Sequence, residues 1–223
     1  MPLGTFYPDA NPESTSVDGI VGYSIGDTTT WASIHDKTDG DASTTVDSGT
    51  TGIVMIRRDA SNNWVDMRRG ILLFDTSSIT NNFTVQSGTF SIMPNTINNN
   101  DFTDSMTLCA STPASNTSLV VGDYDQYGAT KFATDVTVAS MGAGTYSNWG
   151  LNDSGIAAVN VSGVTKFALL CTNDFANTTP GGTGDGRTQV TFRLADYTGA
   201  TSDPMLIINY SSGGGLDLTS KIW

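Results

Sequence analysis

An all-β fold, an antiparallel β-sandwich of jelly-roll type with little or no helix, is what this sequence predicts, and three observations carry the prediction. Apolar residues come in short dense runs bounded by Gly, Asn, Asp or Pro, the punctuation of strands and turns. No window of helical length keeps an i, i+3, i+4 apolar pattern without a break at Gly or at runs of Thr and Ser. Without helices between the strands, a parallel sheet with crossovers is ruled out, and many short strands imply two packed antiparallel sheets.

The strand runs are IVMI at 53–56, ILLF at 71–74, TFSIM at 89–93, MTLCA at 106–110, KFALLCT at 166–172, TQVTFRLA at 188–195 and PMLIINY at 204–210. Alternation is clear in two of them. Val190, Phe192 and Leu194 share one face with Thr191 and Arg193 opposite, and Phe167, Leu169 and Cys171 oppose Ala168, Leu170 and Thr172. The polar stretches 94–105 and 173–187 read as surface loops at the ends of the sandwich. A chain of 223 residues suits one large β domain. The expected organisation is an N-terminal arm over 1–16, the sandwich over 17–210, a Gly-rich linker over 211–215 and a docking tail over 216–223.

Lys and Arg number 10 against 22 Asp and Glu, a formal net charge of -12. Such a surface repels phosphate backbones and argues against a nucleic-acid partner. No stretch approaches the roughly 18 apolar residues of a membrane span. The start, MPLGTFYPDANPESTSVDG, has neither the basic start nor the apolar core of a secretory signal. Either a signal has been removed, or the protein is made in the cytoplasm and leaves by another route.

Four of the six arginines fall within residues 57–69. Adjacent strand residues point to opposite faces, so an Arg-Arg pair in mid-strand would drive one charge into the core at high cost. Both pairs are therefore expected at strand ends. Arg57 and Arg58 would close one strand and Arg68 and Arg69 open the next, across a hairpin that displays Trp64 in its loop. The four guanidinium groups would then gather at one end of the sandwich. There they either pair with Asp59, Asp66 and Asp75 or, with Trp64, meet an anionic or sugar-bearing partner.

Other constellations are weaker. Asp36, Asp39 and Asp41 in HDKTDGD offer clustered oxygens of the kind calcium prefers, without the closing glutamate of an EF-hand loop. Nucleophilic catalysis would have to rely on His35, the single histidine, and no carboxylate pair stands out for glycoside hydrolysis. The expectation is a protein without catalytic residues and without a cofactor. Cys109 and Cys171 lie in apolar runs and read as buried thiols, or as a disulfide if their strands are neighbours. Trp31, Trp64, Trp149, Tyr124 and Tyr127 sit beside polar loop residues, either as platforms for a sugar ring or as plugs closing the core. Leu216, Leu218, Ile222 and Trp223 make the tail sticky. It can add to a neighbour's sheet edge and drive self-association, or fold back over its own sandwich.

RRGILLFDTSSI resembles the hallmark strand of DNRLRE-type, carbohydrate-binding-module-like jelly rolls, and DYTGATSDPMLIINY resembles the last strand of that family. The likeness spans roughly residues 17–210. FYPDANPESTSVDG and TWASIHD are also similar to segments of tailed-phage virion proteins. The resemblance implies a structural or adhesion subunit of an extracellular particle, with copies of itself or a capsid or tail protein as partner. Surface glycans are the partner class if the domain is instead a carbohydrate-binding module, and a filament subunit built by strand exchange is a third reading.

Overall fold

The computed structural model describes residues 3–24, 29–80, 82–100, 102 and 104–212. Thirteen strands form two sheets in which every pairing is antiparallel. The four-stranded sheet runs β1 (Leu3–Phe6), β13 (Met205–Ser212), β5 (Phe83–Ile92), β10 (Ser147–Gly150). The larger sheet runs β6 (Pro94–Asn100), β12 (Gly186–Arg193), β3 (Thr51–Arg58), β4 (Trp64–Asp75), β11 (Val164–Cys171), β7 (Ser105–Ser111), β8 (Tyr127–Lys131). Two more strands join it, β2 (Asp18–Ser24) on β4 and β9 (Val136–Thr137) on β7. Among the described residues three α-helices of about one turn each, α1 (Trp31–His35), α2 (Asp153–Ala157) and α3 (Thr172–Phe175), and four short 3-10 turns complete the regular structure. The fold is the predicted all-β sandwich.

The two sheets meet through aromatic rings. Phe90 of β5 packs edge-on to Phe74 of β4, centroids 6.1 Å apart, and to Phe167 of β11 at 6.0 Å. Trp149 of β10 crosses the same gap, and its indole N–H donates to the Met106 carbonyl of β7 at 3.1 Å. A ring that size can be buried because its one polar atom is satisfied. The alternation read in β11 and β12 holds: Phe167, Leu169, Val190 and Phe192 join the main core, while Ala168 and Leu170, also buried, face a smaller cluster with Cys109.

Two expectations need correction. Residues 94–100 are strand β6 rather than loop, because β12 accepts them along its backbone in spite of their low strand propensity, with Pro94 at the first position of an edge where no donor is missed. Residues 3–6 of the N-terminal arm form a strand of the smaller sheet. Cys109 and Cys171 stand on adjacent strands, where Cys109 lies opposite Ala168 and Cys171 opposite Met106. Both thiols are free and buried, and burial pushes the Cys109 pKa up to about 12. Leu216, Leu218, Ile222 and Trp223 lie outside the described residues, as do 213–215 of the linker.

Candidate functional site

The arginines do not gather as the sequence suggests. β4 begins at Trp64 and is twelve residues long, so Arg68 and Arg69 occupy its middle rather than its start. Arg68 turns back to Asp66, with Nε 2.8 Å from Oδ1. Arg69 points into a buried layer roofed by α1, α3 and the 121–127 segment. The cost expected of such burial is met by a forked ion pair, in which Asp174 of α3 accepts from Arg69 Nε at 2.9 Å and from Nη2 at 2.8 Å. The carbonyls of Tyr124 (2.7 Å) and His35 (3.2 Å) take further guanidinium protons, and the rings of Tyr124 and Tyr127 lie 4.1 and 4.6 Å from it. Burial alone would lower the Arg69 pKa, but the Asp174 charge outweighs it and the net shift is upward. His35 belongs to this packing: its Nε2 sits 2.9 Å from the Asp174 carbonyl and its Nδ1 2.5 Å from Asp36 Oδ1.

Arg57 and Arg58 do close β3 as expected. Arg57 is partly exposed, 3.9 Å from Asp185. Arg58 is buried and works on the 178–185 segment, donating from Nε to the Gly184 carbonyl at 2.9 Å and from Nη1 to those of Gly182 (2.9 Å) and Gly181 (3.3 Å). Its guanidinium carbon also lies 5.1 Å from the centroid of Phe102 and 5.6 Å from that of Trp64. Trp64 is not displayed in the hairpin loop. It is 4 % exposed and meets Trp31 edge-on at 4.8 Å, because a ring at the start of a core strand closes the end of the sandwich.

A groove opens at this end. Its volume is about 680 Å³, and it is lined by Thr29, Thr30, Trp31, Asn62, Asn63 and Trp64, with Ala32 and Thr179 at its margins. Each wall is fixed locally. Thr30 caps α1 by accepting from Ser33 N–H, and Trp64 N–H donates to the Thr29 carbonyl at 3.0 Å. Asp59 accepts from the N–H groups of Asn63 (2.8 Å) and Ser61 (2.9 Å), which builds the turn and holds its own pKa below the usual carboxylate range. Asn62, at φ 67, reaches across to accept from Gly184 N–H at 2.7 Å. The Trp31 indole N–H donates to Asn177 Oδ1 at 2.8 Å. A second hollow of about 450 Å³ between Phe102, Asn173 and residues 178–182 shares Thr179 with the first.

Among the described residues no charged side chain lines either hollow. What they offer is amide and hydroxyl groups, each able to donate and accept, over the edges of buried aromatic rings. Sequence reading identified Trp31 and Trp64 but missed the Thr and Asn walls, since those residue types are abundant along the whole chain. Trp149 and Tyr124 are buried and serve the core, and Tyr127 is half-buried beside Arg69.

The carboxylates of HDKTDGD face separate partners. Asp36 engages His35, Asp39 accepts from the Thr38 hydroxyl at 3.3 Å, and Asp41 accepts from Ser43 N–H at 2.8 Å. Among the described residues no three His, Cys, Asp or Glu side chains converge at metal-ligand spacing. A different carboxylate group was not foreseen. Asp18 is buried at the start of β2 and accepts from Ala195 N–H at 3.0 Å, and Asp196, Asp203 and Glu13 lie close enough to repel its charge. Burial above all, then those neighbours, pushes its pKa up to about 8. No protein-family profile matches the chain, and no curated protein does.

Proposed function

We propose that this protein is a non-enzymatic adhesion subunit of an extracellular particle, in the manner of a phage decoration, fibre or tail-associated protein, and that its loop end holds an uncharged glycan. The groove between Trp31, Trp64, Asn62 and Asn63 carries this reading. It has the neutral donors and acceptors a sugar's hydroxyls need. The resemblance of the N-terminal segments to virion proteins supports the particle, and the acidic surface fits release into solution rather than attachment to nucleic acid.

The test is a panel of neutral and anionic polysaccharides presented to the full chain, read by calorimetry, alongside Thr179→Arg. Thr179 is exposed at the junction of the two hollows, so an arginine there fills them without touching the core. Binding of a neutral polysaccharide that the variant loses, at unchanged melting temperature, is the expected result. Absence of binding across the panel, or equal binding by Thr179→Arg, overturns the glycan assignment. Antibody labelling of purified particles then separates a particle subunit from a carbohydrate-binding module of a secreted protein.

A further inference from the structure

Positive charge is concentrated on one face of the larger sheet. β6, β12 and β3 lie side by side there, and they carry Arg57, Arg58, Arg187 and Arg193, four of the six arginines, without a single Asp or Glu. Alternation divides the four. Val54, Ile56, Val190 and Phe192 fill the core between the sheets, and Arg58 turns inward with them, so Arg57, Arg187 and Arg193 stand on the outer face. Gln189 shares that face and donates to the Thr191 hydroxyl at 3.0 Å. The register of β6 sets Asn100 beside Arg187, Asn98 beside Gln189 and Thr96 beside Thr191.

Arg187 lies directly opposite Arg57. Like charges so placed, with Cβ atoms about 5 Å apart, are destabilising. The acids nearby do little to offset them. Asp185 Oδ1 is 3.9 Å from Arg57 Nε, too far for a hydrogen bond, and that carboxylate is half exposed. Asp66, next to Arg57 in the register, is taken by both arms of the Arg68 fork at 2.8 and 3.0 Å. Asp59 feels the Arg57 charge, but its oxygens accept from Ser61 and Asn63 of its own turn. The Nε atoms of Arg57 and Arg187 are buried without a hydrogen-bond partner among the described residues. Farther along β12, Arg193 stacks on Tyr197 at 3.8 Å, in a hollow of about 250 Å³ with Pro94, Asn95 and Ser202.

We infer that the outer face of β6, β12 and β3 is a second binding site, separate from the loop-end groove, and that it takes an acidic polysaccharide with one oxyanion held between Arg57 and Arg187. A carboxylate or sulfate group accepts parallel N–H bonds from a guanidinium fork, and between two forks it turns their repulsion into a shared attraction. The spacing of charge selects the polymer. Residues on one face of a strand recur about every 7 Å, so Arg193 stands about 20 Å from Arg187. Between them β6 and β12 present the amides and hydroxyls of Asn98, Gln189, Thr96 and Thr191. A chain of widely spaced charges and many hydroxyls matches that row. Nucleic acid, with a charge about every 1.7 Å, meets too few arginines here and is repelled by the net charge of -12.

Titration calorimetry of the full chain tests this with hyaluronate as the carboxylate probe and kappa-carrageenan fragments as the sulfate probe, each charged on every second sugar. Dextran is the neutral probe and duplex DNA the dense polyanion. Binding of an acidic polysaccharide that weakens as salt is raised is the expected result, and the tighter of the two names the oxyanion. Arg57→Gln and Arg187→Gln should each lower that affinity about tenfold or more. Lys166→Gln removes the same charge from β11 and should change it about twofold at most. Melting temperatures of the arginine variants should hold or rise, because an opposed like charge has gone. No binding of either acidic polysaccharide at low salt, arginine variants that bind like the parent, or DNA bound as tightly as the polysaccharides overturns the proposal. Thr179→Arg should leave acidic binding undiminished, and the arginine variants should leave neutral binding at the loop end unchanged, so the two sites fail separately.

Discussion

Asp174 and Arg69, 105 positions apart in the chain, form a forked ion pair with contacts of 2.8 and 2.9 Å and almost no exposure to water, the guanidinium at 2 % and the carboxylate at 1 %. The pair ties mid-strand β4 to α3, and through Arg69 Nη2 and the His35 carbonyl it also anchors α1. Breaking such a pair on one side leaves a charge buried alone. Arg69→Met or Asp174→Leu should each cost about 3–5 kcal/mol, whereas the double variant should lose much less, because no charge is stranded. Denaturant unfolding of the three variants checks this. Equal losses in the single and double variants would mean that packing, not charge, dominates the site.

This pair also marks the limit of what the sequence discloses. The strand runs were legible because each carries its own period and its own Gly or Asn boundary, and ILLF or TQVTFRLA needs no distant residue to be recognised. Arg69 does need one. The rule that a mid-strand charge is too costly failed because its partner is remote in sequence, and nothing near Asp174 distinguishes it from other aspartates. The Asn-rich run 94–100 misled for a related reason, since β12 pairs with its backbone whatever its side chains favour. At the loop end Trp31 and Trp64 stood out as rare residues, while Thr29, Asn62 and Asn63 could be recognised as walls only once the fold had brought them together.

The carboxylates around Asp18 set a direction for pH. Its pKa rises from an ordinary 3.8 to about 8 in the fold, and burial raises Asp203 to about 6. The folded state therefore holds protons that the unfolded chain releases. The stabilisation is complete below about pH 4, and is lost as pH rises through 6 and 8. Stability attributable to this cluster should fall across that window, the reverse of a salt-bridged carboxylate. Asp18→Asn keeps an acceptor for Ala195 N–H and removes the titration, so its melting temperature should exceed that of the parent at pH 8 and show a flatter profile. Parallel profiles for the two proteins would remove Asp18 as the source.

Gly19 in β2 allows a close crossing. A Cβ there would lie 2.3 Å from the Val46 carbonyl oxygen and 3.0 Å from the Asp47 Cα, both backbone atoms that cannot swing aside. Gly19→Ala should therefore push the 46–47 segment off β2, at a cost of about 1–3 kcal/mol. Gly150→Ala, where an added Cβ meets nothing within 4 Å, should stay within about 0.5 kcal/mol of the parent. Comparing the two in chemical denaturation isolates the steric effect, because Gly→Ala stiffens the unfolded chain and by itself favours folding; a similar cost for both would remove the close contact at Gly19 as its source.

Arg58 links the end of the core to the wall of the groove. One guanidinium donates to three carbonyls of the 178–185 segment while lying close to Phe102 and Trp64. A lysine keeps the charge but has no planar fork, so it cannot reach Gly181, Gly182 and Gly184 in the same geometry. Arg58→Lys should cost about 1–3 kcal/mol, set mainly by the charge-assisted hydrogen bonds of the guanidinium that are lost. The loss should be local. Hydrogen exchange followed by mass spectrometry should show residues 178–185 exchanging at least tenfold faster, with β3 and β12 protected as before. Because Thr179 closes one side of the groove and Gly184 is the partner of Asn62, polysaccharide affinity should fall together with that protection. Faster exchange with unchanged affinity would place the ligand elsewhere on the molecule.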